Sequence, residues 1–414
     1  MSFFAAISPF ADRTDSQRRA LWAAFLGWML DGMDAMLYAF ALPEIAREFQ
    51  LGGAAAGSLA SITLLSSAVG GVLFGWLADR IGRARSLTLS VLVYAACTAG
   101  AATAGSLQVF VIWRLLLGLG LGGEWAAGAV LVAESVPSDR RGVAIGWVQA
   151  GWAVGYALAA LLSAWILPRW GFRALFWAGA SPALLAVWIR ARVPEPAAWQ
   201  ALQKERGLDA GPGLLALLRP PLRTSALLAT LLATVLMCAY WGLFTWIPSY
   251  LSAPTSRGGA ALSSVRALSF LLPMQAGAFV GYVSFGLLAD RFGRRPVFAL
   301  YVLLAALAVP AFVACSSQPL GLVLIAPFVG FAGHGYFSVF GALLSELFPV
   351  GIRGSAGGLC YNAGRAVSAA APMVVGGLAD RWGLAATLSL LSGLYVVGAA
   401  LVWVLPETRG RELA

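Results

Sequence analysis

The chain has 414 residues, of which 60% are hydrophobic and 11% charged, with a formal net charge of +10 and a mean hydropathy of +0.81. A water-soluble domain carries about 25% charged residues, so this chain lacks the polar groups to cover a surface in water. The composition excludes an ordinary soluble enzyme, a disordered chain and a nucleic-acid-binding domain, and it reads as a polytopic membrane protein.

The sequence opens on a short mixed segment, Met1 to Arg19, without the pattern of a cleavable signal. The first apolar run is therefore expected to stay as a span. A span needs about 20 mostly apolar residues. Twelve runs qualify, at roughly 20–43, 55–78, 86–104, 107–134, 143–167, 172–193, 224–252, 267–289, 297–315, 318–346, 354–378 and 384–405. Gly and Pro within them are tolerated, because neighbouring helices satisfy the freed backbone groups. Strand-type alternation is absent, which argues against a membrane β-barrel. The longest polar segment, Pro194 to Arg223, lies between spans six and seven. It divides the chain into a first half (1–193), a linker (194–223) and a second half (224–414).

With twelve spans both termini share one side. That side carries 20 of the 28 basic residues and the other carries 6, while Arg114 and Arg365 fall inside spans. Basic residues favour cytoplasmic loops, so both termini are expected in the cytoplasm and the positive charge needs no nucleic acid. Cys97, Cys238, Cys315 and Cys360 all lie in apolar stretches, none in a Cys-x-x-Cys, and are expected to be free.

The halves repeat. Gly75-Trp-Leu-Ala-Asp79-Arg80-Ile-Gly82-Arg83 recurs as Gly286-Leu-Leu-Ala-Asp290-Arg291-Phe-Gly293-Arg294, 211 residues later. Glu134-Ser-Val-Pro137 with Arg141 recurs as Glu346-Leu-Phe-Pro349 with Arg353, and Pro194-Glu195 as Pro406-Glu407, both 212 residues on. Three marks at nearly one offset indicate duplication of a six-span unit. Duplicated halves are a transporter architecture, with the substrate site near the bilayer midplane between them.

These loops resemble the major facilitator superfamily along essentially the whole chain. The resemblance implies an all-α membrane protein: twelve transmembrane helices in two pseudo-symmetric six-helix bundles, acting as a monomer without a cofactor. A narrower likeness is carried by Asp31-Gly32-Met33-Asp34, Gly120-x-Gly122-Gly123-Glu124, Trp241-Gly-Leu-x-x-Trp246-Ile-Pro248 and Tyr361-Asn362-x-Gly364-Arg365. These are similar to organic-acid proton symporters, of the sialate/lactate type or the aromatic-acid type. The resemblance implies a small organic anion and protons as cargo, in a bacterial inner membrane. Span five lacks the Gly-Pro typical of drug antiporters, and span seven lacks the Gln usual in sugar porters.

The charged residues inside the spans are the candidates for chemistry. Asp31 and Asp34 sit three residues apart, on one helical face. A charge at a helix centre costs roughly 2.5–3.5 kcal/mol on insertion scales, so it marks function by default. A carboxyl shielded from water favours its protonated form, the property a proton-coupling site needs. A structural hydrogen-bond pair beside Gly32 is the competing reading. Glu124 is either a proton relay or the partner of Arg114. Arg365 is the expected substrate anchor, because its planar fork matches a carboxylate. Arg114 is a second anchor, or a structural partner of Glu124 or Asp34. Asn362, Tyr361 and Gln149 are candidates for the cavity lining or for interhelical hydrogen bonds.

His334, the sole histidine, is either packed or proton-linked. Trp28, Trp125, Trp152, Trp241 and Trp246 offer stacking surfaces or interface anchors. The loop charges Asp79, Arg80, Arg83, Asp290, Arg291 and Arg294, with Glu134, Arg141, Glu346 and Arg353, are expected to hold one transport state closed. Gly118-x-Gly120-x-x-Gly123 matches a dinucleotide fingerprint by letters, but it lies in a span with no strand before it, so close helix packing is expected. The sole lysine, Lys204, follows Gln203, so there is no P-loop. Scattered cysteines and one histidine leave no metal cluster. Proton symport of an organic acid is the leading expectation. Its rivals are efflux or uniport on the same fold, and a receptor that binds without transport.

Overall fold

Thr14 starts the first helix. Its hydroxyl accepts from the Gln17 amide at 3.3 Å, and Gln17 Oε1 accepts from the Thr14 amide at 3.2 Å. This capping box satisfies two donors that a helix start leaves unpaired. The computed structural model describes residues 14–135, 141–195, 220, 222–316, 318–338, 340, 343, 347–348 and 353–407. The side chains of Asp79, Trp125, Glu134, Arg141, Asp290 and Arg353, the whole of Glu346, and most of the linker lie outside the described residues.

The first bundle contains α1 (Asp15–Glu48), α2 (Gly53–Ile81), α3 (Arg83–Ala102), α4 (Leu107–Ser135), α5 (Arg141–Gly179) and α6 (Pro182–Arg192). The second contains α7 (Leu222–Phe244), α8 (Ile247–Ser252), α9 (Ser264–Phe292), α10 (Arg294–Ala314), α11 (Pro319–Gly335), α12 (Arg353–Ser368), α13 (Ala371–Trp382), α14 (Leu384–Leu390) and α15 (Ser392–Val404). These helices make twelve spans. Spans one to four are α1 to α4. The helix α5 folds at Gly171, so its first part is span five and its remainder joins α6 as span six. Spans seven, eleven and twelve are the broken pairs α7/α8, α12/α13 and α14/α15. Breaks precede Pro182, Pro248 and Pro372, each in the first turn of the resumed helix. Proline has no amide to donate and clashes with the preceding turn, so it starts a helix better than it continues one. The break at Leu391 has no proline.

Four glycines turn the chain between consecutive spans in nearly the same way. Gly82 has φ 113° and ψ 156°, and Gly293 has φ 101° and ψ 154°. Gly171 has φ 70° and ψ −179°, and Gly383 has φ 79° and ψ 159°. This backbone region is open almost only to glycine. Gly82 and Gly293 follow spans two and eight, at the end of the bundle that carries the termini, here called the near end. Gly171 and Gly383 follow spans five and eleven at the far end. Arg169-Trp-Gly171 matches Arg381-Trp-Gly383, and Leu-Ala-Asp-Arg-x-Gly occurs a third time at Leu378–Gly383. Each half therefore contains two inverted three-helix units.

The outward face is apolar, with Leu65, Val69, Val72, Leu307 and Leu324 exposed, as lipid contact requires. Trp165, Trp170 and Trp177 are exposed around the far end and Trp22 and Trp76 toward the near end, the placement of interfacial anchors. All four cysteines are free; Cys97 and Cys360 are buried and the other two half-buried.

Candidate functional site

Close helix approach brings the charged residues together. A Cβ on Gly118 or Gly122 would collide with Thr63 O and Ser66, or with Ser67 O, so α4 lies directly on α2. The glycine run is thus a packing face, as its place in a span predicts. On the other side Gly151 and Gly155 let α5 lie against the backbone of α1 at Phe25 and Met29. Asp31, Arg114 and Trp152 converge as a result.

They line a chamber of about 530 Å³, counting all space between atoms and its opening. The first bundle supplies Asp31, Tyr38, Thr63, Ser67, Arg114 and Trp152, and the second supplies Trp241, Thr245 and Arg365. Trp152 and Trp241 meet edge to face across the bundles with centroids 5.9 Å apart, and Trp28 backs Trp152 at 5.0 Å.

Asp31 faces the chamber and is 3% exposed. Asp34, 2% exposed, accepts a 2.5 Å hydrogen bond from the Thr98 hydroxyl of α3. A three-residue step on a helix leaves the two side chains about 60° apart, enough to aim one at the cavity and the other at the neighbouring helix. Arg114 lies over the Tyr38 ring at 4.1 Å, and Arg365 lies 5.4 Å from the Tyr361 ring. Both guanidiniums are at most 5% exposed, and the Nε of each has no hydrogen-bond partner among the described residues.

The charges form one network in which Asp34 also acts on Asp31. Asp34 acts on Arg114. Asp31 and Glu124 act on each other and on Arg365 of the opposite bundle. Glu124 is 1% exposed, behind Gly27 of α1. Its arginine neighbour is therefore Arg365 rather than Arg114.

The other sequence candidates lie around this core. Gln149 donates to Phe337 O at 3.5 Å across the bundles, and Asn362 donates to Gly358 O at 3.0 Å beside Gly71 of α2. Neither they nor Tyr361 lines the chamber. His334 is fully buried among Tyr240, Phe244, Tyr282 and Tyr156, with Nδ1 3.2 Å from Gly330 O. Trp246 donates to Pro372 O at 3.0 Å, tying α13 to the start of α8.

One contributor escapes sequence reasoning. Tyr94 of α3 is fully buried, and its hydroxyl has no hydrogen-bond partner among the described residues. It stands within electrostatic reach of Asp31, Glu124 and Asp34 together. A tyrosine in an apolar helix has no sequence mark; only its spacing of four residues from Thr98 points to this face.

At the helix ends, carboxylates accept backbone amides. Glu195 accepts from Ala84 and Arg85 at 3.1 Å each, and Glu407 accepts from Arg294 and Arg295 at 2.9 and 3.0 Å. Glu44 accepts from Phe172 at 3.1 Å. These three caps act within one bundle. Asp380 instead accepts from Gly53, the first residue of α2, at 2.9 Å across the bundles. Arg80, Arg83, Arg291 and Arg294 flank the near-end corners, where Arg83 donates to Ala78 O at 2.8 Å and Arg291 lies near the Phe292 ring at 5.3 Å.

Known proteins are similar to this chain in fold and in sequence. A D-xylose-proton symporter of solved structure superposes with a TM-score of 0.75 at 22% identity, covering 96% of this chain and all of that one. A probable 4-methylmuconolactone transporter of Cupriavidus pinatubonensis is 34% identical over 95% of this chain and 91% of its own. A cis,cis-muconate transport protein of Acinetobacter baylyi is 35% identical over 91% of this chain and 90% of its own. These relatives are transporters, not enzymes. The family model of the Major Facilitator Superfamily matches residues 24–284 and 259–413, and the chain belongs to that family of multi-pass membrane transporters.

Proposed function

We propose that this protein carries a small organic acid together with protons, by alternating access, in a bacterial inner membrane with both termini cytoplasmic. One observation carries the reading: Asp31 of the first bundle and Arg365 of the second, both buried, face one shared chamber. The names of the relatives, which include muconate and niacin transporters, support an organic acid.

The halves 1–193 and 224–414 are the rocking bodies, joined by the linker 194–223. In the outward-open state Asp31 takes a proton, which frees Arg365 from its acidic neighbour. The substrate carboxylate then docks on Arg365, where a bidentate pair is strong and directional. With charge compensated on both sides, the loaded chamber crosses the closed state at lower cost than a half-loaded one. On the inward side water returns to Asp31, and proton and acid leave. The cargo drives the cycle only through its differential affinity for the two states. On this reading the far end is the outer one, and the Asp380–Gly53 contact must break for it to open. The near-end charges, with Glu134, Arg141, Glu346 and Arg353, hold the inner end by the same logic.

The test is transport by the purified protein in proteoliposomes. Labelled acid should show counterflow, and an inward proton gradient should drive its accumulation. Asp31→Asn should keep counterflow and lose gradient-driven accumulation. Accumulation at the wild-type level in Asp31→Asn would end the proton assignment, and ligand binding without counterflow would make the protein a receptor.

A further inference from the structure

The chamber holds two guanidiniums, one from each bundle, and each is built in the same manner. Arg114 is 4% exposed and Arg365 5% exposed, each stands beside a tyrosine ring, and each has an unpartnered Nε among the described residues. Each also has acidic neighbours: Asp34 for Arg114, and Asp31 with Glu124 for Arg365. Neither arginine is a relic of the duplication. Span ten, the counterpart of span four, holds no arginine, and span five, the counterpart of span eleven, holds none either.

We infer that the cargo of this chamber is a dicarboxylate, one carboxylate docking on Arg114 and the other on Arg365. This rests on the transport reading above and names the substrate class for it. A monocarboxylate occupies one guanidinium and leaves the second facing its own aspartate, so it gains nothing from Arg114. A dicarboxylate engages both, and each aspartate that it displaces takes up a proton. Two carboxylates enter with two protons, no bond is made or broken, and the net charge of the chamber is the same loaded as empty. That balance avoids moving an unpaired charge through a low-dielectric region. Glu124 and Tyr94 also face Asp31, and Tyr94, Thr98 and Cys97 face Asp34, so the protons have several oxygens within reach. Between the charges the wall carries Leu64, Leu121, Met36 and the two indoles Trp152 and Trp241, with the hydroxyls of Tyr38, Thr63, Ser67 and Thr245 among them; those of Thr63 and Ser67 donate to Leu59 O and Leu64 O of their own helix. The apolar side chains suit a short hydrocarbon middle.

The experiment is competition in proteoliposomes. Straight-chain dicarboxylates of four to eight carbons and monocarboxylates of equal length are tested against counterflow of labelled hexanedioate. Dicarboxylates should compete at least about tenfold better than the length-matched monocarboxylates, a difference of about 1.4 kcal/mol. Hexanedioate counterflow should not respond to an imposed membrane potential. Arg114→Gln should cost dicarboxylate affinity about tenfold and leave monocarboxylate affinity within about twofold, while Arg114→Lys recovers part of the loss. Equal competition by the two classes, with counterflow intact, overturns the dicarboxylate inference and leaves acid transport standing. Equal loss of both classes in Arg114→Gln overturns it as well. Absence of counterflow with every acid overturns the transport reading and this inference with it.

Discussion

The corners of the bundle and its chamber were built under opposite rules. The corners are repeated: Gly82 and Gly293 share one backbone conformation, Gly171 and Gly383 its close relative, and Pro-Glu pairs cap the helices beside three of the four. The chamber is not repeated. Span seven, the counterpart of span one, has no acidic residue, and neither Arg114, Glu124 nor Arg365 has a charged counterpart in the other half. Repetition serves geometry, because the same turn is needed wherever one helix reverses into the next. Function needs asymmetry, because an anion held between two moving bodies requires unlike groups on each. The two regions should therefore fail differently when mutated.

The largest effect is expected at Arg365. Arg365→Ala removes the cation that the buried Asp31 and Glu124 share. Truncating one member of a buried charge pair costs about 2–5 kcal/mol or more of binding, enough to remove acid binding from a thermal-shift or calorimetric titration. Asn362→Ala, three residues away but outside the chamber lining, should keep affinity within about threefold, a change of about 0.7 kcal/mol. Equal losses in both would erase the distinction between chamber and surround.

The corners should lose stability and keep binding. Gly383 has φ 79°, and a Cβ there would come no nearer than 3.4 Å to another residue, so its cost is conformational. Gly383→Ala should destabilise the protein by about 1–3 kcal/mol, read as a lowered melting temperature in detergent with unchanged acid affinity. Gly75 lies inside α2, and a Cβ added there would meet nothing within 4 Å. Gly75→Ala should hold or gain up to about 1 kcal/mol.

These differences also explain what could be read from sequence. Asp31, Arg114 and Arg365 were legible because a charge in an apolar run is costly and stands out. The duplication was legible at the near-end loops, where Gly82 and Gly293 sit inside a long shared motif. Gly171 was not, because its half of the repeat retains only Arg169-Trp-Gly171. Tyr94 was invisible for another reason. A tyrosine is at home in any membrane helix, and only the positions of α1 and α4 around it make its hydroxyl a neighbour of three acids. The split between Asp31 and Asp34 likewise needed the position of α3, which supplies Thr98.

The smallest expected effect sharpens the comparison most, because it sets two similar caps at the same end of the molecule against each other. Glu44 and Asp380 each accept one backbone amide at the start of a helix, at 3.1 and 2.9 Å. Glu44 acts within the first bundle, whereas Asp380 spans the two. A helix-capping side chain replaced by alanine costs about 0.5–2 kcal/mol. In Glu44→Ala that cost falls on the folded first bundle and should appear as a lower melting temperature. In Asp380→Ala it falls on one arrangement of the halves, so a bond lost only in the closed far end should shift the balance toward opening by about fivefold for 1 kcal/mol. The rate at which a cysteine placed at Ala60, in the chamber wall, reacts with a polar maleimide from the far side measures that balance. Asp380→Ala should raise it and Asp380→Asn should not, since asparagine caps as well as aspartate. If Glu44→Ala raises it equally, the cap across the bundles has no special standing, and what holds the far end shut is the packing of α2 against α13 at Gly57 and Pro372.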